Sequence, residues 1–296
     1  VYGTSPVTIG IPAIFAKYRF KAPIFFWVQD LWPESIVAAG GVKNKYIIQL
    51  ADSLTRFIYK FCKKIPVQSK AFITYISNQG VDEKKIIYLP NTTSNFYKKV
   101  DKNNKYKKLV PQNLPILMFA GNIGEAQGFE TIIESASLLN DLDQKVNWVI
   151  LGDGRQKESM IRKINNLGLD QYFFFLGSYP SEEMSYFFAH ADALLVTLKK
   201  SHIFSLTIPN KIQSYMACSK PILASIDGEG GRIIESAKCG FSSPSEDSVL
   251  FTKSITKFLS LSIKERELMG SNARKYFDNE FQREKQLDKI INIFTK

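Results

Sequence analysis

The sequence predicts an α/β protein built on parallel sheets, and three observations predict it. Short apolar runs alternate with amphipathic stretches along most of the 296 residues, and 45% of those residues are hydrophobic. The runs are continuous rather than alternating in polarity, as strands buried on both faces require. No run approaches the ~18 to 20 apolar residues that a spanning helix needs, so the apolar content is read as core.

From Leu114 onward six strand-then-helix units follow one another. "PILMFAG" precedes "FETIIESASLLN", "NWVILGDG" precedes "QKESMIRKINNLGL", and "YFFFLGS" precedes "SEEMSYFFAHA". "DALLVTL" precedes the helix that opens at "TIPNK", "PILAS" precedes "GRIIESAKCG", and "GFSSP" precedes "EDSVLFTKSITKFLSL". Six such units make a complete doubly wound domain over residues 114–280.

The first half is thinner. "APIFFWVQD" reads as a buried strand, "NKYIIQLADSLTRFIYKFCKK" as a long amphipathic helix, "IPVQS" as a short strand and "KIIYLPN" as an apolar run ending in a turn. Three strands are few for a doubly wound domain. Residues 1–97 are therefore expected to be part of a domain whose remaining strands precede Val1, and the chain alone is expected to be inactive. "KKVDKNNKYKK" mixes Lys with Asn and Tyr without helical or strand periodicity, and residues 98–113 are read as a solvated linker. In 281–296 the apolar residues recur at i, i+3 and i+4, giving a last helix expected to dock back toward the N-terminal domain.

Composition narrows the chemistry. Cys62, Cys218 and Cys239 are far apart and form no C-x-x-C pair, which fits a reducing cytoplasm better than a disulfide framework or thiolate zinc site. His190 and His202 are the only histidines, so no histidine-rich metal centre is expected. His190 is read as a satisfied helix residue, while His202 stays open. A net charge of +11 calls for an anionic partner. No named nucleic-acid motif accompanies it, and nucleic acid is not expected.

In open α/β sheets ligands bind at the carboxyl ends of the strands, where backbone N–H groups and helix N-termini accept anions. Three loops there are unusual. "GNIGEAQG" carries Gly121, Gly124 and Gly128, spaced for close backbone approach. "GDGR" puts Arg155 at the head of a helix, and "TIPNK" puts Pro209 at the position suited to the first helical residue. Lys211 follows, a cation in the first turn of a helix, where the macrodipole disfavours it unless an anion sits there too.

These residues carry a resemblance. "VQDLWPES", "LPN", "GNIGEAQG" and "IPNKIQSYMACSKPILAS" resemble, in order and across nearly the whole chain, the GT-B glycosyltransferases of retaining family 4. The bacterial polysaccharide branch is the most similar, which includes the N-acetylfucosaminyl transferases of O-antigen assembly. The resemblance implies a GT-B fold of two Rossmann-like domains, the donor nucleotide in the C-terminal one and the acceptor in the N-terminal one. It implies a UDP-sugar donor, a polyprenyl-diphosphate-linked saccharide acceptor, retention, no metal or other cofactor, and a cytoplasmic enzyme at the inner face of the plasma membrane. The basic, aromatic first half suits an anionic bilayer.

The departures matter as much. Where the resemblance implies Arg and Lys after the first strand of the donor domain, this sequence has Asn122 and Gln127. Where it implies two glutamates eight apart, there are Leu206 and Ser214. Lys211 and Arg155 are then the cations left to meet a diphosphate, with Gly121, Gly124, Pro209 and Asn210 beside them, and Lys211 is the candidate that relieves charge on the departing nucleotide. Glu229, in "DGEGG", is a candidate for donor-sugar hydroxyls or else part of a polar turn. Gln29 stands where a histidine is usual. Asp30 is a candidate acceptor-side base or sugar contact, or else a helix cap. Two other readings remain: a nucleotide-sugar 2-epimerase on the same scaffold, and a non-catalytic sugar-nucleotide-binding subunit.

Overall fold

The computed structural model describes residues 2–3, 6–38 and 44–295. The chain divides into two compact units, one made of Val1–Asn91, Ser201–Ile208 and Glu284–Lys296, the other of Thr92–Lys200 and Pro209–Arg283.

The second unit holds all six strands read from the sequence: β5 (Ile116–Ala120), β6 (Asn147–Leu151), β7 (Phe173–Gly177), β8 (Ala193–Thr197), β9 (Ile222–Ser225) and β10 (Gly240–Ser243). They form one parallel sheet in the order β10-β9-β8-β5-β6-β7. Every residue of β5, β6, β8 and β9 is buried, which is why these strands read as unbroken apolar runs. Phe119, Phe129, Ile133, Trp148, Phe251 and Phe258 are among the side chains that pack the helices Glu130–Asp141 and Ser248–Leu259 onto one face. The chain runs outward from β5 through β6 to β7, then returns to place β8 on the other side of β5. The topology thus reverses between β5 and β8, the switch point at whose carboxyl ends ligands bind in such sheets.

The first unit carries a four-stranded parallel sheet in the order β1-β2-β3-β4, with β1 Tyr2–Gly3, β2 Ile24–Phe26, β3 Cys62–Val67 and β4 Ile86–Tyr88. Ile24, Phe26, Ile58, Tyr59, Ile65, Val67 and Phe72 are among its core residues. Among the elements here that escape the sequence reading are β1 and the helices Gly10–Phe20 and Lys70–Asn78. The long helix is shorter than expected, Lys45–Phe61, because Cys62 turns to extended geometry and opens β3 three residues before the expected strand. The last helix, Arg283–Thr295, groups with this unit from Glu284 onward, and Phe294 meets Phe25 edge-on at 4.6 Å.

The division between units falls at Thr92, and residues 98–113 belong to the second unit rather than forming a free linker. Tyr106 and Val110 are buried there. The Tyr106 ring stacks on Tyr186 at 5.5 Å, and its hydroxyl donates to Glu183 at 2.8 Å. The surrounding lysines stay in solvent, and their number is what made the stretch look unstructured.

Candidate functional site: a cavity at the strand ends of the second unit

The glycine loops are fitted to each other by backbone contact. Gly121 N–H donates to Leu151 O at 2.8 Å, Ile123 N–H to Asp153 O at 2.8 Å, and Gln156 N–H to Ile123 O at 3.1 Å. A Cβ on Gly152 would lie 1.9 Å from Gly121 O, and one on Gly154 2.4 Å from Ile123 O. Only glycine permits that approach, and Gly121 and Gly152 also have φ of +140° and +131°. The β5 loop is tied to the β8 loop as well. Thr197 Oγ1 donates to Gln127 O at 2.6 Å and Lys199 N–H to Ala126 O at 3.0 Å.

Above these loops lies a cavity of about 450 Å³ lined in part by Gly121, Asn122, Gly152, Asp153, Asn210, Lys211 and Ser214. Its other wall comes from Tyr97, Ser178, Tyr179, Ser181, Met184 and Phe188, with Tyr215 and Ala120 also in the lining. The Tyr215 hydroxyl accepts from Ala120 N–H at 3.2 Å, locking the helix Asn210–Ala217 to the end of β5.

Lys211 is the electrostatic centre. Its Nζ lies 3.8 Å from the centroid of the Phe119 ring and donates to Gln127 Oε1 at 2.5 Å. The chain passes so near Gly121 that a Cβ there would sit 2.7 Å from Lys211 Cε. Burial pushes the ammonium down to about 7, and no coulombic partner offsets it. Among the described residues no carboxylate pairs with it. A desolvated cation held by a neutral amide and an aromatic face, opening onto a cavity, is arranged to receive an anion.

The candidates thus separate. Gly121, Asn122, Asn210, Lys211 and Ser214 line one cavity. Gln127 lies outside the lining and acts on Lys211. Gly124 caps the short 3-10 turn Glu125–Gln127 and packs on Asn122. Pro209 is the residue before the helix rather than its first residue, its carbonyl accepting from Ile212 N–H at 2.9 Å. Arg155 is exposed and outside the lining, since Gly154 seats its loop against Ile123, so it does not join Lys211 there. Glu229 is also outside: Arg232, one turn along the same helix, takes both carboxylate oxygens, at 2.6 and 3.0 Å. Asp227 ties two loops together, its backbone and carboxylate each bonded to Ser245 at 3.1 Å.

In the first unit Asp30 is exposed at the end of the β2 segment. Its neighbour Gln29 accepts through its carbonyl from Gln68 Nε2 at 2.5 Å, and Tyr75 donates its hydroxyl to Glu34. His202, which the sequence placed near the donor rim, groups with this unit rather than with the one that carries the rim, and its ring lies 6.4 Å from that of Tyr75. His190 is buried, with Nε2 3.2 Å from Asn103 O.

Sequence reasoning missed Gln127 as a support for Lys211, and missed Thr93, Tyr97 and Ser181. The polar "GSYPS" loop after β7 carried a signal for Ser181; nothing near Tyr97 did.

A doubly wound parallel sheet with glycine loops and a desolvated cation at its switch point defines a class, the anion-binding α/β domains. The chain belongs to the family described as Glycosyl transferases group 1, which matches residues 100–276, more than half of its length. It is similar to WbjE of Pseudomonas aeruginosa, described as a probable glycosyltransferase, with 25% identity over 300 residues, 94% of this chain and 71% of that protein. It is also similar to WcaI of Escherichia coli (strain K12), provisionally described as a colanic acid biosynthesis glycosyl transferase. That match has 26% identity over 185 residues, 60% of this chain and 44% of that protein. Among solved structures, Anabaena Alr3699/HepE in complex with UDP superposes with a TM-score of 0.82 at 16% identity, covering 99% of this chain and 78% of that one. The likeness bears out the GT-B fold expected from the sequence.

Proposed function

We propose that this protein transfers a sugar from a nucleoside diphosphate donor, UDP-linked in preference to GDP-linked, onto a lipid-linked saccharide with retention, as a family 4 enzyme of bacterial surface polysaccharide biosynthesis. The N-acetylfucosaminyl branch, and with it an N-acetylated or simple hexose donor, is the finer form of this reading. The observation that carries it is Lys211, a cation with no carboxylate paired to it among the described residues, on a cavity rimmed by glycine loops. The bond from the anomeric carbon to the diphosphate oxygen breaks, and negative charge grows on the departing diphosphate. Lys211 Nζ and the Asn122 side chain, both on the cavity lining, are the groups that would meet it. The departing phosphate can itself take the acceptor proton, so the step needs neither a metal nor a strong side-chain base. The description of WbjE supports glycosyl transfer, that of WcaI, with its colanic acid biosynthesis, supports the polysaccharide part of the reading, and the UDP in the HepE complex supports the UDP part.

The acceptor side is proposed for the first unit, with a peripheral membrane contact at the cytoplasmic face. Residues 1–29 contain no acidic residue. The helix Gly10–Phe20 exposes Phe15 (73%), Tyr18 (67%) and Phe20 (70%) beside Lys17, Arg19 and Lys21. Exposed aromatics among basic residues suit the headgroup region of an anionic leaflet.

The test is a panel of UDP- and GDP-sugars offered to the protein with labelled lipid-linked acceptor. Transfer with retained anomeric configuration supports the reading; epimerised donor, or binding without turnover, overturns it.

A further inference from the structure

The sheet of the second unit ends on two outer strands, and they differ. β7 carries a register shift opposite Ile150 and Leu151, and Gly177 at its end has φ of +80°. β10 keeps an unbroken register with β9, from Gly240 opposite Ile222 to Ser243 opposite Ser225. Irregularity blunts an edge against further pairing, and β10 has none. The register also decides which main-chain groups stay outside. Ile222 N–H donates to Cys239 O at 3.0 Å and Ile226 N–H to Ser243 O at 2.9 Å, so Cys239, Phe241 and Ser243 turn toward β9. Gly240 and Ser242 alternate with them and hold their N–H and C=O groups outward, where no strand among the described residues pairs with them.

This edge is the floor of a second cavity, about 380 Å³, which shares no lining residue with the first. Glu235, in the helix Glu229–Ser236, stands on one side of it. Leu250, Lys253 and Lys257 stand on the other, three and four residues apart on one face of the helix Ser248–Leu259. Lys257 Nζ lies 4.6 Å from the centroid of the half-buried Phe241 ring. Lys253 and Lys257 are exposed, and among the described residues neither pairs with a carboxylate.

We propose that β10 is a docking edge for an acidic, extended segment of a partner protein, which adds to the sheet as a strand beyond β10. The outward N–H and C=O groups of Gly240 and Ser242 supply the ladder, as in other cases where a peptide extends a sheet. Side chains of an added strand alternate between the two faces, so every second one meets the wall of Leu250, Lys253 and Lys257. Carboxylates at those positions complement the two ammonium groups. A second copy of this chain fits worse. Two copies joined edge to edge about a two-fold axis would carry their Ser248–Leu259 helices on the same face of the joined sheet, lysines toward lysines, on a chain of net charge +11. Because the two cavities share no lining residue, a segment on β10 leaves the first one free.

The experiment is fluorescence anisotropy of a labelled synthetic peptide of about eight residues, a usual strand length, titrated with the full chain. The peptide has glutamate at every second position and threonine or valine between. It is expected to bind with a Kd below about 1 mM, at least about tenfold tighter than the same peptide with lysine for glutamate, and to weaken as salt rises. Lys253→Glu together with Lys257→Glu should weaken it by about tenfold or more. Ser242→Pro removes an outward N–H and leaves the bonds of Phe241 and Ser243 to β9, so it should weaken the peptide roughly three- to tenfold. Should that variant fail to fold, the peptide itself carries the test: N-methylation of one alternate set of its amides should abolish binding to wild type, and methylation of the other set should not. Wild type that binds no peptide, or binds the acidic and lysine peptides alike, overturns the proposal. So do variants that bind as wild type does, or two methylated sets that bind equally. Sedimentation that shows a dimer lost in Ser242→Pro gives the edge to a second copy and overturns it too.

Discussion

Raising the pH should weaken nucleotide binding through one residue. Free Lys211 has its ammonium pushed down to about 7 by burial alone. An anion in contact with Nζ favours the charged form, so the bound state holds its proton to higher pH. The sign follows: affinity is complete below about 7 and falls as pH rises toward the pKa of the complex. At pH 7 about half of the free protein carries the ammonium, and at pH 8.5 about 3% does, so the apparent affinity drops roughly fifteenfold, about 1.6 kcal/mol. UDP itself changes little over this span, because a phosphate whose last ionisation lies near ~6 is already about nine-tenths ionised at pH 7.

The assay is titration calorimetry of UDP at pH 7.0 to 8.5 in two buffers of different ionisation enthalpy. It should report uptake of about half a proton at the lower pH and nearly one at the upper. Lys211→Met should bind weakly at every pH and take up none. A flat affinity profile without proton uptake in the wild-type protein would refute the assignment of Lys211 as a desolvated cation waiting for phosphate.

Two further outcomes are expected. Gln127→Glu replaces the amide that accepts from Lys211 Nζ with a carboxylate. It should raise the melting temperature by pairing a buried cation, weaken UDP binding about tenfold or more, and abolish the loss of affinity above pH 7. Glutamate at Phe15, Tyr18 and Phe20, all exposed on the helix Gly10–Phe20, should cut co-sedimentation with vesicles rich in phosphatidylglycerol several-fold while leaving UDP affinity unchanged.

What could be read from the sequence follows from where each signal is stored. The six strands of the second unit were legible because a parallel sheet covered on both faces writes itself as runs such as "ILMFA" and "ALLVT". The helix Gly10–Phe20 was not, because Phe15, Tyr18 and Phe20 face solvent and spoil the apolar stripe. The lysines of 98–113 masked Tyr106 and Val110, two buried residues among many charges. At the site, Lys211 announced itself as a charge on the wrong end of a helix. Its partner Gln127 is 84 residues away in sequence, and the pair exists only because β5 and β8 are neighbours in the sheet. Glu229 was misplaced for the opposite reason: its partner Arg232 sits three residues on, in plain view, and i,i+3 pairing should have outweighed the strand-end position.

One lysine standing where the family resemblance implies two loop cations is physically sufficient if the surroundings, and not the count of charges, set the strength. Two unit charges ~4 Å apart interact with about 1 kcal/mol in water and about 4 kcal/mol at the effective dielectric of a partly buried site. Lys211 has exchanged its hydration for Phe119 and Gln127, and its lowered pKa is the mark of that exchange. Arg155, exposed beyond the cavity lining, keeps its water and so has far less to offer a diphosphate. The fold carries the cost of a buried cation that has an amide, and no carboxylate among the described residues, beside it. Gly121 and Gly152 lower the cost of using it, because their backbones let the loop amides and the ammonium converge without a side chain between them. Neutral residues at Asn122, Gln127 and Ser214 then stop looking like losses: a carboxylate at Gln127 would pair with Lys211 and hold it away from the phosphate it is placed to meet.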